Sequence, residues 1–211
     1  MRGNEDLCRT LIEAGIRDAR ILEAFRVLPR DEFVPEDQRS RAYQDVPVPI
    51  PHDQVTTQPS LTAKMLEALA LRGTERVLEV GTGLGFQTAL LSKLAGEVWS
   101  VERWPDLAAS AQASLGRCGV DNVRLAVGDG TRGLPRAAPF DAIVVSAAFV
   151  RVPCPLADQL ACDGRLVQPV GPGGREEVVL YVKEATVLRR VALVTRAHFV
   201  RLVGEHAFAQ E

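Results

Sequence analysis

A short apolar run leads into a glycine-rich turn near the middle of the chain, at residues 77–85 (Val-Leu-Glu-Val-Gly-Thr-Gly-Leu-Gly). Glycine has no Cβ, so the backbone at Gly81 and Gly83 can approach a ligand closely. The residues that follow predict a helix over Phe86–Leu94, whose first N–H groups would favour an anionic group. Glu79 places a carboxylate two positions before the first glycine. The segment therefore predicts a strand, a ligand-binding turn and a helix, with an acid in the floor of the site.

The spacing of the glycines separates two classes of cofactor. It is Gly-x-Gly-x-Gly, whereas the dinucleotide fingerprint is Gly-x-Gly-x-x-Gly. The carboxylate of Glu79 would repel a pyrophosphate and attract an ammonium group. S-adenosylmethionine carries both an α-ammonium and an α-carboxylate, so it fits this turn better than NAD does. We therefore predict S-adenosylmethionine as the cofactor, and NAD-dependent oxidoreduction is disfavoured.

Two more acids stand at the ends of the next predicted strands. An apolar run ends in Glu102, and an acid about 20 residues beyond the glycine turn accepts hydrogen bonds from ribose hydroxyls in nucleotide-binding α/β folds. A third run ends at Asp129 and Gly130. Asp129 is expected to contact an adenine amino group or to brace the loop that does, and Gly130 to permit close approach. A fourth run, 140–146, is continuously apolar, as is typical of a buried parallel strand.

The remaining pattern predicts the elements that position these residues. Residues 75–170 alternate strand and helix with a spacing of roughly 25 residues, which is the pattern of a doubly wound α/β fold. The other predicted elements are helices over 5–28, extended chain or loop over 43–54 with its alternate prolines, a helix from about Ser60, a β-hairpin of 178–182 and 187–194 around Lys183–Ala185, and a last strand over 198–203.

Length and composition limit the class of protein. The chain has 211 residues and a formal net charge of −2, which indicates one domain and no basic field for nucleic acid. Its four cysteines include no Cys-x-x-Cys pair, and with three scattered histidines they make no metal-site pattern. The polar N-terminus is unlike a signal peptide, and no apolar run reaches the ~20 residues of a membrane span. We therefore expect a cytoplasmic monomer that binds no metal, nucleic acid or membrane.

Within the single domain expected over residues 1–211, three parts have different predicted tasks. Residues 1–72 would supply N-terminal helices and a substrate loop, residues 73–171 the cofactor-binding core, and residues 172–211 the C-terminal strands.

Nine segments between Val27 and Phe208 carry patterns beyond a generic glycine turn. They are 27–35 (VLPRDEFVP), 42–45 (AYQD), 57–60 (TQPS), 78–83 (LEVGTG), 100–103 (SVER), 128–130 (GDG), 139–143 (PFDAI), 164–171 (GRLVQPVG) and 199–204 (FVRLVG). Together they resemble the protein-L-isoaspartate (D-aspartate) O-methyltransferases. Gly-x-Gly turns are shared by all class I methyltransferases, but the Pro-Arg-Asp-x-Phe-Val-Pro segment and the Gln-Pro pair are specific to this family.

The resemblance implies a class I, Rossmann-like methyltransferase fold: a doubly wound, mostly parallel sheet with an N-terminal helical extension and a C-terminal β-hairpin. It implies S-adenosylmethionine as the cofactor, Thr57 as the residue that orients the substrate carboxylate, and Glu79 as a group that helps to hold the ammonium end of the methionine moiety. The cofactor-binding residues that it implies are Thr56, Glu79, Gly81, Thr82, Gly83, Glu102, Arg103, Asp129 and Gly130.

Two departures from the family pattern lie where a substrate would sit. Thr57 replaces the usual serine, and threonine keeps the hydroxyl but stiffens χ1. Residues 51–54 (Pro-His-Asp-Gln) replace a usual Gly-x-Gly-Gln, which predicts a stiffer and more polar loop. The hydroxyl of Thr57 could instead serve as a helix cap or a turn residue.

The activity that the resemblance implies is methyl transfer to the α-carboxylate of isoaspartyl residues in proteins or peptides, followed by closure to a succinimide and repair. A carboxylate with a pKa near 4 is already ionised at neutral pH, so no strong general base is required. Two alternatives stay open. One is a related O-methyltransferase that converts a specific aspartate of a ribosomal peptide to an aspartimide, and the other is a non-catalytic S-adenosylmethionine- or adenosine-binding module.

Overall fold

The computed structural model describes residues 2–172 and 174–209, so Met1, Gly173, Gln210 and Glu211 lie outside the described residues. The helices are α1 (Arg2–Glu13), α2 (Ala19–Val27), α3 (Pro59–Leu69), α4 (Phe86–Leu94), α5 (Pro105–Arg117) and α6 (Cys154–Gln159), with short 3-10 turns at Arg30–Phe33, Glu36–Arg41 and Gly130–Arg132. The strands are β1 (Val48–Ile50), β2 (Gln54–Thr56), β3 (Arg76–Val80), β4 (Glu97–Glu102), β5 (Val123–Val127), β6 (Phe140–Val145), β7 (Leu160–Val170), β8 (Glu176–Glu184) and β9 (Val187–Ala197).

Seven strands form one sheet in the order β5-β4-β3-β6-β7-β8-β9. The first five are parallel, whereas β8 and β9 are antiparallel to their neighbours. The chain runs outward from β3 through β4 to β5 and then returns to place β6 on the other side of β3. The prediction of a mostly parallel sheet with a C-terminal hairpin is confirmed, and the reversal beside β3 is where such sheets bind ligands.

The two central strands are apolar because both faces of the sheet are covered. On β6, Ala142 and Val144 join the larger apolar cluster, which contains residues of α1 to α4. Ile143 and Val145 join a second cluster on the opposite face. Alternate residues of a strand point to opposite faces, so a strand buried on both reads as a continuous apolar run.

The N-terminal helices pack directly against the helix that follows the glycine turn. The ring of Phe86, at the start of α4, lies 5.6 Å from that of Phe25 in an edge-on contact. The ring of Phe33 lies 5.7 Å from the same ring. Aromatic pairs at these separations add about 0.5–1.5 kcal/mol beyond their buried area. The N-terminal extension is thereby tied to the helix that follows the glycine turn.

Three segments differ from the sequence prediction. The proline-containing loop includes a short hairpin, β1 with β2, in which Pro49 lies opposite Val55. The C-terminal hairpin is longer than predicted, because its strands run over Glu176–Glu184 and Val187–Ala197. The predicted strand over 198–203 is wrong: this segment makes only isolated bridges. It leaves the β8–β9 hairpin and pairs instead with the chain after β6, where the N–H of Leu202 donates to the carbonyl of Ala148 over 2.7 Å.

No helix within residues 2–172 and 174–209 has the length and hydrophobicity that a membrane span requires.

Candidate active site

A cleft opens at the carboxyl ends of β3, β4 and β6, and its volume is about 920 Å³ including the part open to solvent. Its walls come from the segment before α3, the glycine turn, the end of β4 with the start of α5, the end of β6, and the C-terminal residues Val200, Leu202 and Val203. Sequence-distant segments therefore meet around one space.

The glycine turn forms the floor of the cleft. Gly81 and Gly83 have φ values of 97° and 56°, which L side chains rarely adopt. The N–H of Gly81 donates to the carbonyl of Val101 over 2.9 Å, which ties the turn to β4. The N–H of Gly83 donates to the carboxylate of Glu102 over 2.8 Å. These bonds hold the turn in a conformation that leaves the backbone open to a ligand.

Glu102 lines the cleft at the end of β4 and is only 6 % exposed. One carboxylate oxygen accepts from Gly83 and the other accepts from the N–H of Trp104 over 3.1 Å. An ionised carboxylate offers about four lone-pair sites, so acceptor capacity is left for a ligand. Arg103 also lines the cleft, and its guanidinium carbon lies 4.9 Å from the centre of the Trp104 ring.

Glu79 lies behind the glycine turn rather than in the cleft. Its side chain is fully buried and accepts hydrogen bonds from Thr88 (2.5 Å), Ser100 (2.6 Å) and Gln87 (3.0 Å). Burial raises the pKa of this carboxyl to about 7, although the three hydrogen bonds act in the opposite direction. Protein side chains surround the carboxylate, so Glu79 can help to hold an ammonium group only through the residues that it binds.

Glu79 is nevertheless connected to the cleft through two polar side chains. Ser100 lies between it and Thr82, whose hydroxyl is 2.6 Å from that of Ser100. Gln87 donates both to Glu79 and to the hydroxyl of Ser146 over 2.9 Å. Thr82, Gln87 and Ser146 all line the cleft, so Glu79 can orient groups that face it.

Asp129 is turned away from the cleft, whereas Gly130 lines it. One oxygen of Asp129 accepts from the N–H and the hydroxyl of Thr131, at 2.9 and 2.6 Å. The other accepts from the N–H of Glu205 over 2.8 Å. A Cβ on Gly130 would lie 2.5 Å from Val80, so only glycine fits there. Of the two predicted tasks for Asp129, the geometry favours bracing the loop over contacting the adenine.

Arg30 holds the wall formed by the loop before α3 from inside the protein and is 1 % exposed. Its guanidinium donates to the carbonyls of Ala42 (2.7 Å) and Gln44 (3.2 Å) and to the hydroxyl of Thr56 (3.2 Å). A longer contact of 3.4 Å reaches the carbonyl of Thr57. Burial lowers the pKa of Arg30 to about 10. The hydroxyl of Thr56, predicted as a cofactor contact, is thus committed to the loop, although Thr56 lines the cleft.

Thr57 lines the cleft next to this anchor. Its hydroxyl makes no hydrogen bond with any residue in the described part of the chain. The N-cap of α3 is Gln58, which makes no side-chain cap. Asp45 instead accepts from the N–H of Ser60 over 2.8 Å. The alternative in which Thr57 caps the helix is therefore not what the structure contains, and its hydroxyl is available to a ligand.

Comparison with known proteins identifies the family. The model described as Protein-L-isoaspartate(D-aspartate) O-methyltransferase (PCMT) matches residues 1–207. The chain belongs to this family. The Protein-L-isoaspartate O-methyltransferase of Methanoculleus marisnigri is 46% identical over 211 residues, covering 100% of this chain and 96% of that protein. That of Myxococcus xanthus is 51% identical over 194 residues, covering 90% and 92%.

Solved structures of the family share the fold. A protein-L-isoaspartate O-methyltransferase superposes with a TM-score of 0.85 at 29% identity, covering 97% of this chain and 67% of that one. A putative protein-L-isoaspartate O-methyltransferase from Plasmodium falciparum, solved with S-adenosyl-L-homocysteine, gives a TM-score of 0.80 at 24% identity, covering 93% and 96%. The class I, Rossmann-like methyltransferase fold that the resemblance implied is confirmed.

Membership of this family favours one of the activities left open by the sequence. The curated relatives are named for isoaspartate, and the match extends over nearly the whole length of both chains. An enzyme that is dedicated to one ribosomal peptide and a non-catalytic binding module are both less favoured.

Several residues of the cleft were missed by sequence reasoning. Arg30 was recognised only as part of a family segment, and nothing in its local pattern indicates that it reaches Thr56. Ser146 and Gln87 lie within predicted elements but carry no motif of their own. The wall at Val200 and Leu202 was read as a strand, because an apolar alternation is the same in a strand and in an extended segment.

Among residues 2–172 and 174–209, no group of three or more His, Cys, Asp and Glu side chains could hold a metal ion. Cys8, Cys118, Cys154 and Cys162 are all free thiols.

Proposed function

We propose that this protein transfers the methyl group of S-adenosylmethionine to the α-carboxylate of isoaspartyl residues in proteins or peptides. The observation that carries the proposal is one cleft, in a chain of this family, that joins the glycine turn, Glu102 and the available hydroxyl of Thr57. In the methyl ester, the neighbouring backbone amide nitrogen attacks the ester carbonyl and expels methanol, which closes a succinimide. Water then opens the ring, partly to normal aspartate, and so repairs the damaged residue.

The cleft fits the cofactor at several points. Glu102 would accept hydrogen bonds from the ribose hydroxyls, because it lies at the end of β4 with lone pairs to spare. Gly81 and Gly83 permit close approach of the methionine moiety, and Gly130, which lines the same cleft, would lie beside the adenine ring. Thr82 and Arg103 would line the same ligand, whereas Thr56, Glu79 and Asp129 would position its walls. When bound, S-adenosylmethionine supplies an electrophilic methyl group on a sulfonium.

On the substrate side, the protein has to align a carboxylate that is already charged. The hydroxyl of Thr57 would donate a hydrogen bond to one oxygen of the substrate carboxylate and so direct the other oxygen toward the methyl group. The carboxylate keeps its role as nucleophile without a general base, since its pKa is near 4. Val200 and Leu202 form an apolar wall that would exclude water from the transfer. Alignment of this kind can account for most of such a rate enhancement.

A methylation assay with labelled S-adenosylmethionine tests the proposal. An isoaspartyl peptide should accept the label and its aspartyl isomer, identical in sequence, should accept much less. Mass spectrometry should then show the succinimide and a fraction of aspartyl product. Equal labelling of both isomers would contradict the assignment, and binding of the cofactor without transfer to either peptide would favour a non-catalytic module.

The setting of the enzyme is also proposed. The partner is an isoaspartyl-containing protein or peptide, with no nucleic acid or membrane, and the enzyme acts as a monomer in the cytoplasm. The four free thiols support a reducing compartment. The contacts of Phe25 and Phe33 with Phe86, and the hydrogen bond from Leu202 to Ala148, support a single domain in which residues 1–72, 73–171 and 172–211 fold together.

A further inference from the structure

The turn between β1 and β2 has an unusual backbone for its sequence. The N–H of Gln54 donates to the carbonyl of Pro51 over 3.3 Å, which closes a two-residue turn. Both residues of the turn, His52 and Asp53, have positive φ values of 64° and 55°. Hairpin turns need this geometry, and glycine or asparagine usually supplies it at low cost. Here two residues with ordinary side chains adopt it, so contacts outside the turn must help to hold it.

Those contacts come from His52 and reach the start of α5. The imidazole ring lies parallel to the indole of Trp104, with 3.9 Å between ring centres and 4° between the planes. Its Nε2 lies 2.9 Å from both carboxylate oxygens of Asp106. In the described part of the chain, no other side chain of residues 51–53 makes a hydrogen bond, ion pair or ring contact with another element. We call His52, Trp104 and Asp106 the clasp.

The clasp connects opposite walls of the cleft. Ile50 and Gln54, on either side of the turn, line one wall, and Trp104 and Leu107 line the other. His52 and Asp106 themselves are not part of the lining. The contact between them therefore crosses the outside of the cleft, next to the wall that carries Glu102.

From this arrangement we propose that the clasp closes over the adenosine end of the bound cofactor and controls how fast S-adenosylmethionine and S-adenosylhomocysteine exchange. The inference rests on the proposed function, because it requires the cofactor to occupy this cleft. Movement of the turn away from α5 would widen the entrance to the cleft, and it would break the ring stack and the hydrogen bond together. His52, Trp104 and Asp106 are thus positioning residues for the cofactor and take no part in methyl transfer.

The contacts have the strength expected of a device that opens in each cycle. The Asp106 side chain is 59 % exposed and that of His52 is 30 % exposed, so solvent weakens the charged hydrogen bond. One ring stack adds a modest amount. Removing the ring stack and the hydrogen bond should speed dissociation of S-adenosylhomocysteine about 3- to 10-fold, since the two contacts together are worth only a small multiple of RT. The two turn residues would also relax from their positive φ values once the turn is released.

Stopped-flow displacement of S-adenosylhomocysteine by excess S-adenosylmethionine measures the exchange. His52→Ala and Asp106→Ala should each raise the dissociation rate, and the double variant should match His52→Ala, because either change breaks the same hydrogen bond. His52→Phe keeps a flat ring against Trp104 but loses Nε2, so its rate should lie between those of the parent and His52→Ala. A role limited to folding predicts none of this ordering.

Asp121→Ala is the matched control, since Asp121 is an exposed acid in the loop that follows α5. S-adenosylhomocysteine should dissociate from this variant at the parent rate. Suppose that the parent binds cofactor and methylates isoaspartyl peptide, but that S-adenosylhomocysteine leaves His52→Ala and Asp106→Ala at rates within about two-fold of the parent rate. The proposed role of the clasp is then wrong, and the proposed function stands. If the parent itself binds neither S-adenosylmethionine nor its product, the proposed function fails and the clasp fails with it.

Discussion

Arg30→Met tests whether a buried cation holds the substrate side of the cleft. The substitution keeps an unbranched apolar stem and removes the guanidinium. The variant no longer donates hydrogen bonds to the carbonyls of Ala42 and Gln44 or to the hydroxyl of Thr56, which all lie within 3.2 Å of the guanidinium. We expect a less stable protein whose remaining folded fraction has a displaced Thr57 and a low turnover.

The magnitude follows from two opposing contributions. Three hydrogen bonds from a charged donor are worth about 1.5–3 kcal/mol each, or about 5–9 kcal/mol together. Burial of the charge opposes them. The pKa of about 10 for Arg30, against an ordinary value of about 12.5, corresponds to a cost of about 3 kcal/mol. The difference is about 2–6 kcal/mol, which lowers the melting temperature of a chain of this size by about 5–20 °C.

Thermal unfolding followed by circular dichroism measures the stability, and the isoaspartyl assay at a temperature well below the transition measures turnover. Arg30→Lys serves as the reference, because it keeps the charge but cannot reach all three acceptors, and it should melt between the parent and Arg30→Met. A melting temperature for Arg30→Met within about 2 °C of the parent would show that the loop is held by other contacts and that our assessment of the guanidinium is wrong.

Three further predictions concern the cleft. Thr57→Val should leave the melting temperature and cofactor affinity unchanged but lower turnover on isoaspartyl peptide at least about ten-fold, whereas Thr57→Ser should stay active; equal turnover of the valine variant and the parent would exclude Thr57 from catalysis. Glu102→Ala should weaken S-adenosylmethionine binding about ten-fold or more in calorimetry, and unchanged affinity would remove it from the site. Burial raises the pKa of Glu79 to about 7, so its contribution to stability is fully present below about pH 4.5 and is lost as the pH rises to 7. The unfolding free energy of the parent, relative to that of Glu79→Gln, should therefore fall by up to about 3 kcal/mol across this range in urea titrations, and a constant difference would contradict the buried, proton-binding state.

Local patterns predicted the elements that carry the cofactor turn. The helix expected over Phe86–Leu94 has those bounds in the structure, because glycines define its start and an apolar face defines its length. The acid at Glu102 was also placed correctly at the end of its strand and beside the cleft. These features depend on residues close together in sequence, so spacing alone can identify them.

Other parts of the site depend on contacts that spacing does not encode. β3 is buried on both faces, so alternation could not tell whether Glu79 faces the cleft or the interior. Asp129 binds the backbone of Glu205, 76 residues further along the chain. Arg30 reaches Thr56 across 26 residues. Each of these bonds is set by how sequence-distant segments come together in the fold.

The wall formed by Val200, Leu202 and Val203 also determines when the protein can first bind its cofactor. Domains form during synthesis from the N-terminus onward, so the glycine turn and Glu102 leave the ribosome well before this wall does. A nascent chain that has not yet been synthesised as far as Val203 therefore carries the glycine turn without the wall that encloses it.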